Sequence, residues 1–292
     1  MMVVLAAATS VLASPAPIPP SVISDPVADP QHPPRSAQVL IPSHGVSMNG
    51  LFYLAGGPGP HPTVVLLHGL PGNEQNLDLA QAIRRAGWNV LTLHYRGSWG
   101  SPGTFSLHHV VEDTDAAVAY VRRPDIAERF GIDTGRIVLG GHSMGGFAVL
   151  AHARADAQLM GVLLIDAWNV GLTGDAFAKV TGTARAALVE KDFDDLGHSL
   201  HGATAQSIAA EVVENRAQWN FRAWAKDLTR CPLLVLGASQ AGGEENRQLA
   251  EAVAASGGKV TAVTMATDHS FQDHRIALAA EVIDWLHKLA GP

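Results

Sequence analysis

The chain has 292 residues, 47% hydrophobic and 16% charged, a balance that suits a domain with a sizeable core and argues against global disorder. A formal charge of -7 with no basic block argues against nucleic acid as a partner. The single cysteine, Cys231, excludes an intramolecular disulfide and a thiolate metal cluster within one chain.

The opening run, MMVVLAAATSVLAS, is too short to span a bilayer. It resembles the apolar core and small-residue end of a secretory signal, with Val11-Leu12-Ala13 at the cleavage site, and so predicts export. No basic residue precedes it, the first being Arg35, and no cysteine follows for a lipid anchor. Residues 15–34 contain eight prolines, which lack amide donors, and residues 15–36 are expected to be an extended linker. The folded domain is then residues 37–292. Ala37–Ile41 and Leu51–Leu54, on either side of the turn-prone stretch Pro42–Gly50, predict an antiparallel hairpin.

From there strands and helices alternate. Thr63–Leu67 (TVVLL) is a continuous apolar run, as in a strand covered on both faces. Leu77–Ala86 predicts a helix, Asn89–Leu93 a strand and Val110–Val121 a helix with apolar residues at helical spacing. Arg136–Leu139 is a strand that leads through GGHSMGG into a helix over Phe147–Ala153. Val162–Ile165, Leu233–Leu236 and Val260–Val263 are further strands, and a last helix covers Arg275–Leu289. This order predicts an α/β fold with a mostly parallel sheet and helices on both faces. Residues 171–228 are too many for a simple crossover. They predict a helical cap over the strand ends, with helices near Ala184–Val189, Ala205–Val213 and Trp219–Trp224. The fourteen histidines are scattered, and the groupings His108–His109 and His198/His201 read as surface residues rather than metal ligands.

Gly141-His142-Ser143-Met144-Gly145 is G-x-S-x-G between an apolar strand and a helix, the setting of a nucleophile elbow. Such a turn is too sharp for side chains at the flanking positions and leaves the serine strained, with its hydroxyl exposed. The helix start offers backbone N–H groups to a developing anion. Thr267-Asp268-His269-Ser270-Phe271 follows the last strand; an imidazole there, with a reference pKa of about 6.5, can take and return a proton near neutrality. His274 is the competing base but opens the terminal helix, so His269 is preferred. Cys231 begins a strand and is not a candidate nucleophile.

With these motifs the chain resembles the α/β-hydrolase superfamily from about Ala37 to its C-terminus. HGLPGNEQN, HYRGSWGSPG and TDHSF resemble the bacterial prolyl-oligopeptidase-like and dienelactone-hydrolase-like branches. The resemblance implies Ser143 as nucleophile and His269 as base. It implies Leu70, after the His68-Gly69 pair, and Met144 as the two backbone donors to the oxyanion. It implies no metal or organic cofactor. The loop His94–Gly100, with His94 where the family usually has Asp, is taken as structural. The family usually carries its acid after the strand before the base, where this chain has Gln240, and a neutral amide cannot compensate an imidazolium. Asp166, directly after Val162–Ile165, occupies the place used by certain lipases and haloalkane dehalogenases and is the first choice; Glu244 or Glu245 is the alternative. Asp268 adjoins the base in sequence and is discounted because neighbouring side chains diverge.

The reading is a serine hydrolase of carboxylic esters or related acyl bonds, acting on a small-molecule or peptide acyl substrate. A peptidase of the same mechanism is the alternative. A non-catalytic binding protein on the same scaffold is a third reading, supported by Gln240. Trp168, Trp219, Phe221 and Trp224 are candidates either for an acyl pocket or for packing the cap onto the core.

Overall fold

The computed structural model describes residues 18–193, 196 and 199–291. The apolar run over residues 1–14, its Val11–Ala13 site and His198 lie outside the described residues. No described helix is long and apolar enough to cross a membrane.

Eight strands form one sheet: β1 (Arg35–Ser43), β2 (Val46–Leu54), β3 (His61–Leu67), β4 (Asn89–Leu93), β5 (Ile132–His142), β6 (Gly161–Ile165), β7 (Leu233–Ala238) and β8 (Val260–Met265). Their order is β1-β2-β4-β3-β5-β6-β7-β8. β2 runs antiparallel to β1 and β4, and the pairs from β4 through β8 are parallel. The expected α/β architecture, a mostly parallel sheet covered on both faces, is the observed one.

The helices are α1 (Pro20–Ile23), α2 (Leu77–Arg85), α3 (Leu107–Val121), α4 (Pro124–Phe130), α5 (Met144–Ala153), α6 (Val170–Ala178), α7 (Gly182–Phe193), α8 (Ala205–Asn215), α9 (Gly243–Ala255) and α10 (Arg275–Ala290). The continuous apolar runs of the central strands split by parity, because successive side chains leave opposite faces. Val65, Leu67, Leu139, Leu164 and Val235 join Val118, Phe147 and Leu249 of α3, α5 and α9 in one core. Val64, Leu66, Val138, Leu163 and Leu234 join Ile83 and Val282 of α2 and α10 in the other. Burying each large apolar side chain contributes roughly 1.5–3 kcal/mol, so both faces need their helices.

Several elements differ from the sequence expectation. The hairpin strands continue to a two-residue turn at His44-Gly45, both with positive φ (44 and 85), which matches the twist of the paired strands. Pro42 therefore lies inside β1, where it is tolerated because β1 is an edge strand. α4 was not expected; it begins at Pro124 and stops at Gly131 in a left-handed conformation. The helix expected at Trp219–Trp224 is only a 3₁₀ turn over Phe221–Trp224. Within the stretch read as an extended linker, α1 makes one helical turn. Val22 is buried, and Arg85 donates from Nε to Ser21 O at 2.7 Å and from Nη2 to Val22 O at 3.1 Å.

The loop after β4 is held by a buried ion pair. Asp113 of α3 accepts from Arg96 Nε at 2.6 Å, from the Arg96 amide at 2.8 Å and from Ser43 Oγ at 2.6 Å. Removing one partner of such a pair leaves the other charge buried alone, at a cost of about 3–5 kcal/mol. Asp113→Ala is expected to lose stability on that scale, read as a fall in the urea midpoint with an unchanged slope.

Candidate active site

Ser143 stands between the last residue of β5 and the first of α5 with φ 54 and ψ -117, a strained backbone for a residue with a side chain. The surroundings enforce it. A Cβ at Gly141 would lie 2.4 Å from the Gly145 carbonyl carbon, and one at Gly145 would lie 2.5 Å from the Leu67 oxygen. The serine backbone is also clamped. Its amide donates to Ile165 O at 3.0 Å, and its carbonyl accepts from Trp168 N at 2.9 Å.

His269 lies on the loop after β8, and its Nδ1 donates to Asp166 Oδ2 at 2.6 Å. Asp166 directly follows β6 with φ 43 and has no exposed surface. Burying a carboxylate is costly unless it is hydrogen-bonded, and this one has further donors. Ala238 N reaches Oδ1 at 3.0 Å and Gly242 N reaches Oδ2 at 3.0 Å. Both come from the end of β7 and the loop beyond it, the neighbour of β6, where Ile165 pairs with Leu236. The loop that would carry the family's usual acid thus supplies donors to an acid one strand earlier.

Asn246 of α9 braces the same corner and was not anticipated. Its Oδ1 accepts from Ala167 N at 3.1 Å, and its Nδ2 donates to Ala167 O at 3.0 Å and Gly242 O at 2.9 Å. The only cue was a polar residue among the apolar positions of a helix. Gln240 has a backbone role, donating its amide to Thr267 O at 3.2 Å and tying β7 to the base loop. Glu244 is turned to Arg247 at the surface, and Glu245 lines the cavity that His269 also lines, but His269 Nδ1 donates to Asp166. His274 faces Asp273, and Asp268 Oδ1 accepts from Gln272 N.

Ser143, His269 and Asp166 share a cavity of about 460 Å³ with Leu70, Trp168, Asn169, Leu172, Thr173, Asp192, Phe193 and Glu245. Leu70 lies on the loop after β3, which the next loop anchors. Tyr95 Oη donates to His68 O at 3.1 Å, and Trp99 Nε1 donates to Pro71 O at 2.8 Å. Met144 is the first residue of α5, where backbone N–H groups have no partner inside the helix. Of the four aromatics weighed for the acyl pocket, Trp168, which precedes the insertion, lines the cavity. Trp219 and Trp224 pack on Phe147, at ring separations of 5.3 and 5.9 Å, and Phe221 is fully buried. Those three join the insertion to the core.

Other candidates have local partners. Among the described residues no group of three His, Cys, Asp or Glu is arranged to hold a metal ion. His108 Nδ1 bonds Glu211 at 2.6 Å, while His109 and His201 donate to the carbonyls of Thr104 and Gly103. Burial pushes the Cys231 thiol up to about 11, which disfavours the thiolate.

The sequence matches the alpha/beta hydrolase family over residues 64–282, and the chain belongs to that family. The uncharacterized protein YfhR of Salmonella typhimurium is 36% identical over 90 residues, which is 30% of this chain and 29% of that protein. The match thus spans less than a third of the relative. Among solved structures, the Pyrobaculum calidifontis esterase superposes with a TM-score of 0.64 at 17% identity, over 89% of this chain and 88% of that one. Est1E from Butyrivibrio proteoclasticus, with ferulic acid bound, gives 0.66 at 16% identity over 86% and 99%. The Pyrococcus horikoshii acylaminoacyl peptidase gives 0.61 at 14% identity, over 86% of this chain and 41% of that one. At these identities the likeness to the solved structures is one of fold.

Two histidines beside the cavity are buried and held neutral. Burial lowers His68 to about 4, and burial together with neighbouring His269 lowers His142 to about 3. The unfolded chain takes up these protons below about pH 6.5 while the folded chain refuses them. Stability from this source therefore falls as pH drops from 6.5 toward 4 and levels off below the folded values. The melting temperature is expected to fall over that window, and replacing either histidine by Gln should make the slope against pH shallower, as read by calorimetry.

Proposed function

We propose that this protein is a serine hydrolase of carboxylic esters, working through an acyl-enzyme on Ser143. The observation that carries the reading is the 2.6 Å hydrogen bond from His269 to the buried Asp166, in the cavity that the strained Ser143 also lines. In this scheme Ser143 Oγ attacks the ester carbonyl carbon while His269 Nε2 takes its proton. Asp166 orients the ring and stabilises the imidazolium. The amides of Leu70 and Met144 receive the oxyanion, a contribution of roughly 3–4 kcal/mol per donor. The C–O bond then breaks as His269 returns the proton to the departing alkoxide. Water, deprotonated by His269, then attacks the acyl-enzyme, and the bond to Ser143 Oγ breaks as His269 returns the proton to that oxygen and the acid is released. The scheme requires no cofactor.

Esters are taken ahead of peptides because an alkoxide is a better leaving group than an amine, and a peptidase of the same mechanism is the alternative that the amide panel tests. The non-catalytic reading rested on Gln240, and the hydrogen bond from His269 to Asp166 argues against it. The domain proposed over residues 37–292 carries the insertion over residues 171–228 as a cap that shapes the acyl site. In support, Leu172 and Thr173 of α6 and Asp192 and Phe193 of α7 wall the cavity.

Fluorophosphonate labelling, with parallel panels of acyl esters and aminoacyl amides, tests the proposal. Ser143→Ala should abolish labelling and ester turnover while the melting curve stays near that of the parent. Asp166→Asn should lower kcat by roughly 10⁴-fold, by analogy with other Ser-His-Asp enzymes. Turnover by folded Ser143→Ala, or amide cleavage outrunning ester cleavage, would overturn it.

The apolar run over residues 1–14 supports export, with a mature chain beginning near Ser14. Sequencing the N-terminus of native material should find that start; an intact Met1 in the cytosolic fraction would refute it.

A further inference from the structure

His142 is the residue immediately before Ser143, and the scheme above gives it no part. The residue is 4% exposed and lies where three segments meet. Nε2 donates to the backbone oxygen of His269 at 2.9 Å. The two imidazoles face one another with centroids 4.6 Å apart and planes inclined by 40°. Toward the loop after β3, a Cβ on Gly69 would come within 3.2 Å of His142 Nδ1 and 2.9 Å of Ser143 Cβ. The backbone that carries Leu70 therefore rests directly on His142 and Ser143.

We propose that His142 is a positioning residue that locks the base loop and the oxyanion loop to the nucleophile elbow. The proposal rests on the assignment of Ser143 and His269 above. The His269 side chain is 44% exposed, so packing alone does not fix it. Asp166 holds the ring at Nδ1, while the Gln240 amide and the Arg275 guanidinium hold the loop on either side through Thr267 O at 3.2 Å and Ser270 O at 2.9 Å. The bond from His142 is the attachment at the backbone of His269 itself, and it comes from the serine's own neighbour in sequence. Any shift of β5 thus moves the nucleophile and the base together.

The chemistry of the residue suits the task. The slot needs a flat group with one N–H donor at the His269 carbonyl. It must also tolerate a ring that becomes an imidazolium during turnover. The titratable or charged groups facing it are His269, Asp166 and Arg275. A neutral imidazole donates there without adding a second positive charge beside His269; a lysine or arginine would add one.

The variants His142→Phe and His142→Gln separate positioning from packing. Phe keeps the ring and removes the donor, whereas Gln keeps an N–H. Both are measured on a p-nitrophenyl acyl ester, with active sites counted by a fluorophosphonate burst so that unfolded protein does not enter. A displacement of about 1 Å at a reacting group can cost about 10²-fold. His142→Phe is accordingly expected to lose about 10- to 100-fold in kcat per titrated site with KM within a few-fold, and His142→Gln to recover most of it. If His142→Phe does not fold, His142→Leu takes its place with the same expectation. A kcat per site equal to the parent's in the donorless variant, a loss confined to KM, or equal losses in the donorless and Gln variants would overturn the proposal. Failure of the Ser143 assignment would look different, as turnover persisting in Ser143→Ala.

Discussion

A carboxylate without exposed surface has to be surrounded by donors, and in this protein that requirement organises one end of the sheet. Asp166 takes one N–H from the end of β7, one from the loop after it and one from the imidazole of His269. Two segments, 72 to 103 residues further along the chain, converge on this one side chain because each holds a donor it needs. The cost of burying a charge becomes a geometric instruction, since any segment that drifts away leaves the carboxylate short of a partner. The positive φ of Asp166 is retained under the same constraint, with its own amide fixed to Leu236 O at 2.7 Å.

Much of this was legible in the sequence because the sheet is buried on both faces. Runs such as TVVLL and VLLI have no solvent-facing positions to interrupt them, so they stand out as strands. The elbow was legible for a related reason: Gly141 and Gly145 are sterically required on either side of Ser143, and few other contexts call for that spacing. Asp166 could be found from its place after an apolar strand, once Gln240 was seen to be uncharged. The edge strand β8 was also found, although much of it is exposed, because its β-branched residues keep their propensity there.

What the sequence did not display is contact between distant segments. Asn246 looks like any polar residue in a helix until α9 is set against Ala167. His142 occupies the variable position of the G-x-S-x-G pattern, where a motif asks for nothing, and its partner is 127 residues away. Trp219, Phe221 and Trp224 could not be sorted from Trp168 by spacing, because the choice between wall and core is made by which side of the insertion meets Phe147. The hairpin was underestimated because His44 adopts positive φ, which is uncommon for a residue with a side chain. The seating of Val22 depends on Arg85, 63 residues on.

The placement of a buried carboxylate just after β6, hydrogen-bonded to His269, has a consequence for protein engineering. The turn after β7 is released from holding a charged side chain against the imidazole and takes part through main-chain groups. Gly242 is confined, since a Cβ there would press on Asp166 Oδ1 at 3.1 Å. Ala241 is exposed, lines the same cavity and makes no side-chain hydrogen bond that the acid depends on. It is a ready-made site for a saturation library that alters the cavity wall while Ser143, His269 and Asp166 stay in place.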